Sequence, residues 1–204
     1  MRTVFVLLLL GFTLTACARP TVIPSGAPLF TDDFSNPKSG WNRDDAANYS
    51  DGAYQIAVAE PDMKVWANPG RSFADVVIEV DATTVAGPMD NDFGVQCRAR
   101  DSKNYYFFLI SADGYQAIGK VIKGEASFLS ADSMQASDAV QQGNVTNHLR
   151  AACVGNKLTL TVNGQMTAQV TDSSLTEGDV GLMAGSYTEG GVQITFDNLK
   201  VTQP

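Results

Sequence analysis

Residues 157–170 read KLTLTVNGQMTAQV, with an apolar side chain at every second position on each side of Asn163-Gly164. Period two over a run of this length is the signature of a strand with one buried face. The central dipeptide favours a tight turn, because both of its residues accept positive φ. The pattern predicts a hairpin in which Leu158, Leu160 and Val162 face inward, followed by Met166, Ala168 and Val170. Asp51-Gly52, Asp113-Gly114 and Gly155-Asn156 sit between similar runs. Near the end, GVQITFDNLKV changes parity: Val192, Ile194 and Phe196 are even, Leu199 and Val201 odd. One extra residue around Asp197-Asn198 predicts a bulge or bend there. Only residues 132–142 read as loop or weak helix. Many short strands with frequent turns predict a two-sheet sandwich or a barrel.

One strand breaks the alternation. Residues 104–110 are NYYFFLI, apolar on both faces. With Asp101–Asn104 as a four-residue loop and Asp113-Gly114 as a two-residue turn, neighbouring strands can be placed against it. One face then gathers Val95, Cys97, Ala99, Tyr106, Phe108, Ile110, Ala117 and Val121, which is core. The other gathers Gln96, Arg98, Arg100, Tyr105, Phe107, Leu109, Gln116, Ile118 and Lys120. Rings ringed by cations and amides suit a glycan or another polar ligand, since rings stack on apolar sugar faces while Arg, Lys and Gln donate to oxygens. Arg98, Arg100, Tyr105, Phe107 and Lys120 are therefore candidate ligand-binding residues. The competing reading is that loops from the neighbouring edge cover Tyr105 and Phe107, leaving the cations to pair with nearby acids. Trp66, before a Pro-Gly turn, is either core or a platform at the rim. Trp41 reads as core.

Two cysteines extend the picture. Cys97 shares a face with Phe93 and Val95, and Cys153 with Leu149 and Ala151. Both thiols point into the core, so a Cys97–Cys153 disulfide fits, with two separate buried thiols as the alternative. No spacing suggests a zinc site.

The chain has 14 basic and 22 acidic residues among 204, a net charge of −8. That balance argues against nucleic acid or an anionic membrane surface as a partner. The N-terminus reads MRTVFVLLLLGFTLTAC, a positive start and an apolar run too short for a membrane span, which needs about 20 residues. Its last residues, Leu14-Thr15-Ala16-Cys17, resemble the lipobox of bacterial lipoproteins. The resemblance implies a signal over residues 1–16 and a Cys17 carrying acyl chains, hence a bilayer anchor outside the cytoplasmic membrane. An ordinary signal with a chance cysteine is the alternative. Residues 17–28, rich in proline, form a tether, and 29–204 form a single domain.

The stretches LFTDDFSNPKSGW, DNDFGVQCRARDSKNYYFFLISADGYQAI and VTDSSLTEGDVGLMAG resemble the concanavalin A-like, laminin-G-like jelly roll, and the chain is similar in fold to the 3-keto-disaccharide hydrolase family. The resemblance implies an all-β, two-sheet antiparallel jelly-roll sandwich whose concave face is the usual ligand side. It also implies carbohydrate recognition, with a structural or protein-interaction module of the envelope as the alternative. Laminarinase-type enzymes of this fold carry Glu-x-Asp-x-x-Glu on one strand. Here EVDATTV supplies Glu79 and Asp81, but Thr84 stands where the second glutamate belongs. Retaining glycosidase chemistry needs two carboxyls, so no catalytic residue is assigned. His148, the only histidine, reads as structural. Relatives of the fold hold structural calcium, and with the first and last strands adjacent, Asp33 and Asp197 are candidate ligands.

Overall fold

The computed structural model describes residues 25–204. The expected signal 1–16, Cys17 and most of the tether lie outside the described residues. Among the described residues, sixteen strands form two antiparallel sheets. Numbered in chain order, the first sheet runs β14 (Gln165–Thr171), β13 (Lys157–Val162), β12 (Thr146–Val154), β6 (Val76–Ala86), β16 (Val192–Thr202), β3 (Ala53–Val58) and β2 (Ala47–Ser50). There β1 (Pro28–Asp32) pairs with the C-terminal part of β16. The second runs β10 (Glu125–Phe128), β9 (Tyr115–Ile122), β8 (Asn104–Ile110), β7 (Asn91–Asp101), β15 (Gly178–Ser186) and β4 (Lys64–Ala67). Here β11 (Gln135–Ala136) pairs with β9 and β5 (Ser72–Phe73) with β15. This is the expected all-β, two-sheet jelly-roll sandwich.

Between the sheets, Ile56, Ile78, Val80 and Phe196 of the first pack with Phe93, Val95, Phe108 and Leu182 of the second. Burying each such side chain contributes about 1.5–3 kcal/mol. Trp41 joins this core, and its indole N–H donates to Asp32 at 3.0 Å. The parity switch in β16 is a register shift between Asp197 and Lys200, with Asn198 at φ +54°. Leu199 and Val201 thereby regain the core. A similar shift separates Leu160 from Thr161 against β14. It keeps Ala168 and Val170 packed on the core but turns Met166 out to solvent, contrary to the alternation.

Cys97 of β7 and Cys153 of β12 form a disulfide, with Cα atoms 6.8 Å apart. The bond joins one sheet to the other through the middle of the core.

The strands beside β8 depart from the expected registers in two ways. Between β7 and β8, Cys97 lies opposite Tyr106, not Phe108, and Asp101 opposite Asn104. The turn is two residues long, and β7 absorbs two extra residues between Cys97 and Asp101. An even offset preserves the faces of Phe93, Val95 and Cys97. At the bulge, however, Arg98 adopts φ +51° and turns inward, where it is 2% exposed. Its guanidinium donates to the carbonyls of Ala74 and Leu175 and to Asp75, all at 2.9 Å. The expectation that Arg98 faces Phe107 is thus corrected: it ties the strand ends together.

Between β8 and β9 the error is odd. The Ser111 N–H donates to the Tyr115 carbonyl at 2.9 Å, enclosing three residues with Gly114 at φ +98°. One residue more than a two-residue turn reverses every side chain of β9. Ala117 and Val121 therefore face outward, opposite Leu109 and Tyr105, while Gln116, Ile118 and Lys120 face inward, opposite Ile110, Phe108 and Tyr106. Lys120 donates to Asp172 at 2.6 Å and to Ser174 at 2.9 Å. The Tyr106 hydroxyl donates to the same carboxylate at 2.6 Å. Burial raises the Asp172 pKa, but the bonds from Lys120, Ser174 and Tyr106 outweigh it and hold the carboxyl well below its ordinary value.

Two outcomes follow for stability. Removing the disulfide as a Cys97→Ala/Cys153→Ala pair is expected to cost about 2–4 kcal/mol in urea unfolding, since it frees a long loop in the unfolded chain. A loss under 1 kcal/mol would mean that packing alone holds the sheets. Asp172→Asn is expected to cost about 1–3 kcal/mol at pH 7. Because the folded-state pKa is depressed, this contribution is present above the unfolded value of about 3.9 and is lost as pH falls below it toward the folded value. The gap between wild type and variant should therefore narrow in urea titrations from about pH 4 downward. A gap independent of pH would show that the carboxylate charge contributes nothing.

Candidate functional site

The outer face of β8 is not open. Tyr105, Phe107 and Leu109 pack with Val121 and Met183 into a second, smaller apolar cluster, against which Met134 rests. Phe128 meets Phe107 edge-on, ring centroids 6.0 Å apart. The Phe107 ring lies on Gly119, where a Cβ would fall 2.1 Å from it, so glycine alone admits the ring. Phe107 is 6% exposed and Tyr105 is equally enclosed. The covering reading holds: β10, β11 and the residues between them supply the cover, and these two rings are packing. As open platforms for a ligand, Tyr105 and Phe107 are corrected by the apolar excess of β8 itself, which leaves no stable way to keep that face wet.

With Arg98 and Lys120 turned inward, two of the expected binding side chains remain at the surface. Trp66 stands on β4, 37% exposed. Arg100 is exposed and holds only long contacts, 3.4 Å to the Glu177 carbonyl and 3.4 Å to Thr176. The structure brings these two together in one recess of about 160 Å³ beside Gln96.

The candidate metal ligands lie at the β1–β16 corner. Asp33 accepts from the Ser35 N–H at 3.1 Å and its hydroxyl at 2.7 Å, which lowers its pKa. It shares a depression with Asp32 and Asn198, whereas Asp197 pairs across to Asp81 and accepts from the Asn198 N–H. Among the described residues, no group of three or more His, Cys, Asp or Glu side chains is arranged to hold a metal. The incomplete glycosidase motif is dispersed. Glu79 and Asp81 point out of the first sheet, and Thr84 is buried on the opposite side. Asp81 is held by His148 Nδ1 at 2.7 Å and by Asn198 at 3.0 Å.

A groove of about 600 Å³ lies at the other end of the second sheet. It forms where the end of β15, the start of β7, the β8–β9 loop and the covering segment meet. Tyr115, Phe128 and Tyr187 supply rings, and Asp90, Asp113 and Ser133 supply oxygens. Tyr115 and Phe128 are exposed. Behind the groove, Asp92 is 1% exposed. One of its oxygens accepts from Lys64 and from the Tyr187 hydroxyl, the latter at 2.7 Å; the other has no donor among the described residues. Gly185 makes the room, since a Cβ there would lie 2.5 Å from that free oxygen. Burial, then the Asp92 charge, pushes the Tyr187 phenol far above its ordinary pKa, so it stays protonated and donates. The Lys64 ammonium also lies 5.2 Å from the Tyr187 ring centroid. The arrangement is a rigid aromatic wall facing carboxylates, able to stack a flat apolar surface and accept from hydroxyls.

Sequence reasoning did not reach this groove. Tyr115 directly follows Asp113-Gly114 and could have been found from a correct loop length. Tyr187 carried no local signal; the pairing of Ser186 with Asn91, nearly a hundred residues away, brings it there.

No curated protein matches the chain. Among solved structures, the carbohydrate-binding module CBM66 from Bacillus subtilis superposes with TM-score 0.66 at 18% identity, covering 81% of this chain and 96% of that one. A Bacillus subtilis protein of unknown function with a galectin-like fold gives 0.66 at 12% identity, covering 88% and 97%. A Bacillus licheniformis beta-glucanase gives 0.63 at 12% identity, covering 89% and 100%. At these identities the likeness is one of fold. The match to the 3-keto-alpha-glucoside-1,2-lyase-like domain spans residues 28–202, nearly the whole described sandwich, and the chain belongs to that family.

Proposed function

We propose that this protein is a lipid-anchored, extracytoplasmic module that binds carbohydrate in the groove lined by Tyr115, Phe128 and Tyr187. The observation that carries the reading is the groove itself: exposed rings beside the carboxylates of Asp90 and Asp113, backed by the linked Asp92, Lys64 and Tyr187. Such a wall suits a pyranose, whose ring has apolar faces and a hydroxyl rim. The fold neighbours include a carbohydrate-binding module and a glucanase, and the family description names a 3-keto-alpha-glucoside, so gluco-configured sugars are the first ligands to try. Family membership also favours a second reading, cleavage of a 3-keto-glucoside in the same groove. The lipobox-like Leu14-Thr15-Ala16-Cys17 supports the anchor.

Calorimetric titration of the chain lacking residues 1–17 against gluco-oligosaccharides should detect binding. Tyr115→Ala and Phe128→Ala should each weaken it about tenfold, with circular dichroism unchanged. No binding by the folded wild type would instead favour a structural or protein-interaction module of the envelope. Product analysis after incubation with a 3-keto-glucoside separates binding from cleavage. For the anchor, the full chain expressed in a bacterium should incorporate labelled fatty acid and partition with membranes, and Cys17→Ser should lose both. Unlabelled wild-type protein would overturn lipidation.

A further inference from the structure

The groove leaves one exposed tryptophan unused. Trp66 pairs with Met183 across the β4–β15 ladder, so its ring stands on the same outer face of the second sheet as Leu109 and Phe107. It occupies an edge strand with no neighbour beyond it among the described residues. The recess beside it is lined by Gln96, Asn68, Arg100, Asp101 and Asp179.

Two of these side chains have unused capacity. Gln96 is 1% exposed, and its amide nitrogen donates only to the Met183 sulfur at 3.6 Å. Among the described residues its amide oxygen accepts no hydrogen bond, and it borders the recess rather than being sealed away from it. That oxygen lies over Gly181, where a Cβ would approach it to 3.0 Å and the Asn68 amide nitrogen to 2.4 Å. Glycine thus clears the floor of the recess. Arg100, held only by its two contacts at 3.4 Å, keeps guanidinium N–H groups available. By contrast, Asp101 and Asp179 are engaged: Asp101 accepts from Lys103 and Asn104, and Asp179 from the N–H groups of Gly70, Arg71 and Val180. A stacking indole, an amide oxygen without a donor among the described residues and a loosely held guanidinium therefore converge in a space of about 160 Å³. Two carboxylates against one guanidinium disfavour an anionic guest.

We infer that the Trp66–Gln96–Arg100 recess is a second sugar subsite, taking one neutral hexose unit of the glycan whose other part lies in the Tyr115–Phe128 groove. The inference rests on the carbohydrate reading of that groove. Trp66 stacks on the ring, Gln96 accepts from one hydroxyl and Arg100 donates to another. On the regular partner strand β15, the six steps from Gly185, opposite Asp92, to Asp179, opposite Ala99, put the two positions roughly 20 Å apart at about 3.3 Å per residue. A long oligosaccharide can bridge them and a short one cannot, and joining two weak sites on one chain raises affinity without new contacts.

The chain contains two tryptophans, and Trp41 is buried, so a sugar-induced fluorescence change reports on Trp66. Gluco-oligosaccharides of one to eight units serve as probes, on the chain lacking residues 1–17. Affinity should rise about tenfold between short and long members, with a Trp66 spectral shift. Trp66→Ala and, separately, Arg100→Ala should remove the rise while leaving short-chain binding intact. Arg100→Ala guards against a folding effect of the tryptophan change, and it keeps the fluorescence reporter. Length-independent affinity, or variants that keep the rise, would overturn the subsite and leave the groove standing. A Trp66 shift with undiminished affinity for the long oligosaccharides in Tyr115→Ala would show sugar bound beside Trp66 without the groove, overturning the groove reading and with it the bridging of the two positions. No binding or shift with any probe overturns both.

Discussion

A strand with no polar face cannot sit at the surface of a sandwich. Asn104–Ile110 buries Tyr106, Phe108 and Ile110 between the sheets and still presents Tyr105, Phe107 and Leu109 on the other side. Water on that second face would be opposed at about 25 cal/mol per Å² of apolar surface. The chain meets this by returning along β9 as β10 and β11 and laying Met134 and Phe128 over the rings. Once that cover is in place, the open part of the face is displaced to its two ends. One end becomes the groove beside Tyr115 and Tyr187, the other the recess beside Trp66. The geometry of the candidate sites is thus a consequence of covering β8.

The same strand explains where the cations went. A positive charge is costly in a low-dielectric layer unless it is fully engaged. Arg98 meets that condition with three acceptors at 2.9 Å, gained through a left-handed bulge residue. Lys120 meets it with Asp172 and Ser174. Both are consumed in holding strand ends and the 172–175 segment, which leaves Arg100 as the guanidinium on that face with loose contacts. Charge in this region is mostly structural, and the groove presents rings and oxygens.

How much was legible follows from the difference between even and odd errors. The β13–β14 hairpin, the bulge in β16, the pairing of the first and last strands and the Cys97–Cys153 bridge all depend on which side chains share a face. Alternation carries that information directly. The β7–β8 register was wrong by two residues; the even slip preserves the faces up to Cys97, but the bulge at Arg98 turns that residue inward and sends Ala99 from the expected core face to the outer cluster. The β8–β9 register was wrong by one residue, and it sent Lys120 and Ile118 inward and Val121 outward. Asp113-Gly114 announces a turn but does not distinguish a loop of two residues from one of three. Tyr187 and Asp92 meet through a long-range pairing that no local pattern contains.

The neighbouring glucanase shares this fold, yet the position of the carboxylates argues for a different use of it here. Glu79 and Asp81 lie on the outer face of the first sheet, pinned by Arg150, His148 and Asn198, and the extra residue of β6 against β16, Val85, comes only after Thr84 and so leaves Thr84 facing inward. Even a glutamate in place of Thr84 would point into the core. Restoring the motif therefore needs a change of backbone as well as of one residue. Asp92, by contrast, is already buried beside a groove, already linked to a phenol and an ammonium, and has one oxygen without a donor. That free oxygen is itself enclosed, so the carboxylates that line the groove are Asp90 and Asp113, and Glu79 and Asp81 remain a surface ion-pair network of the first sheet.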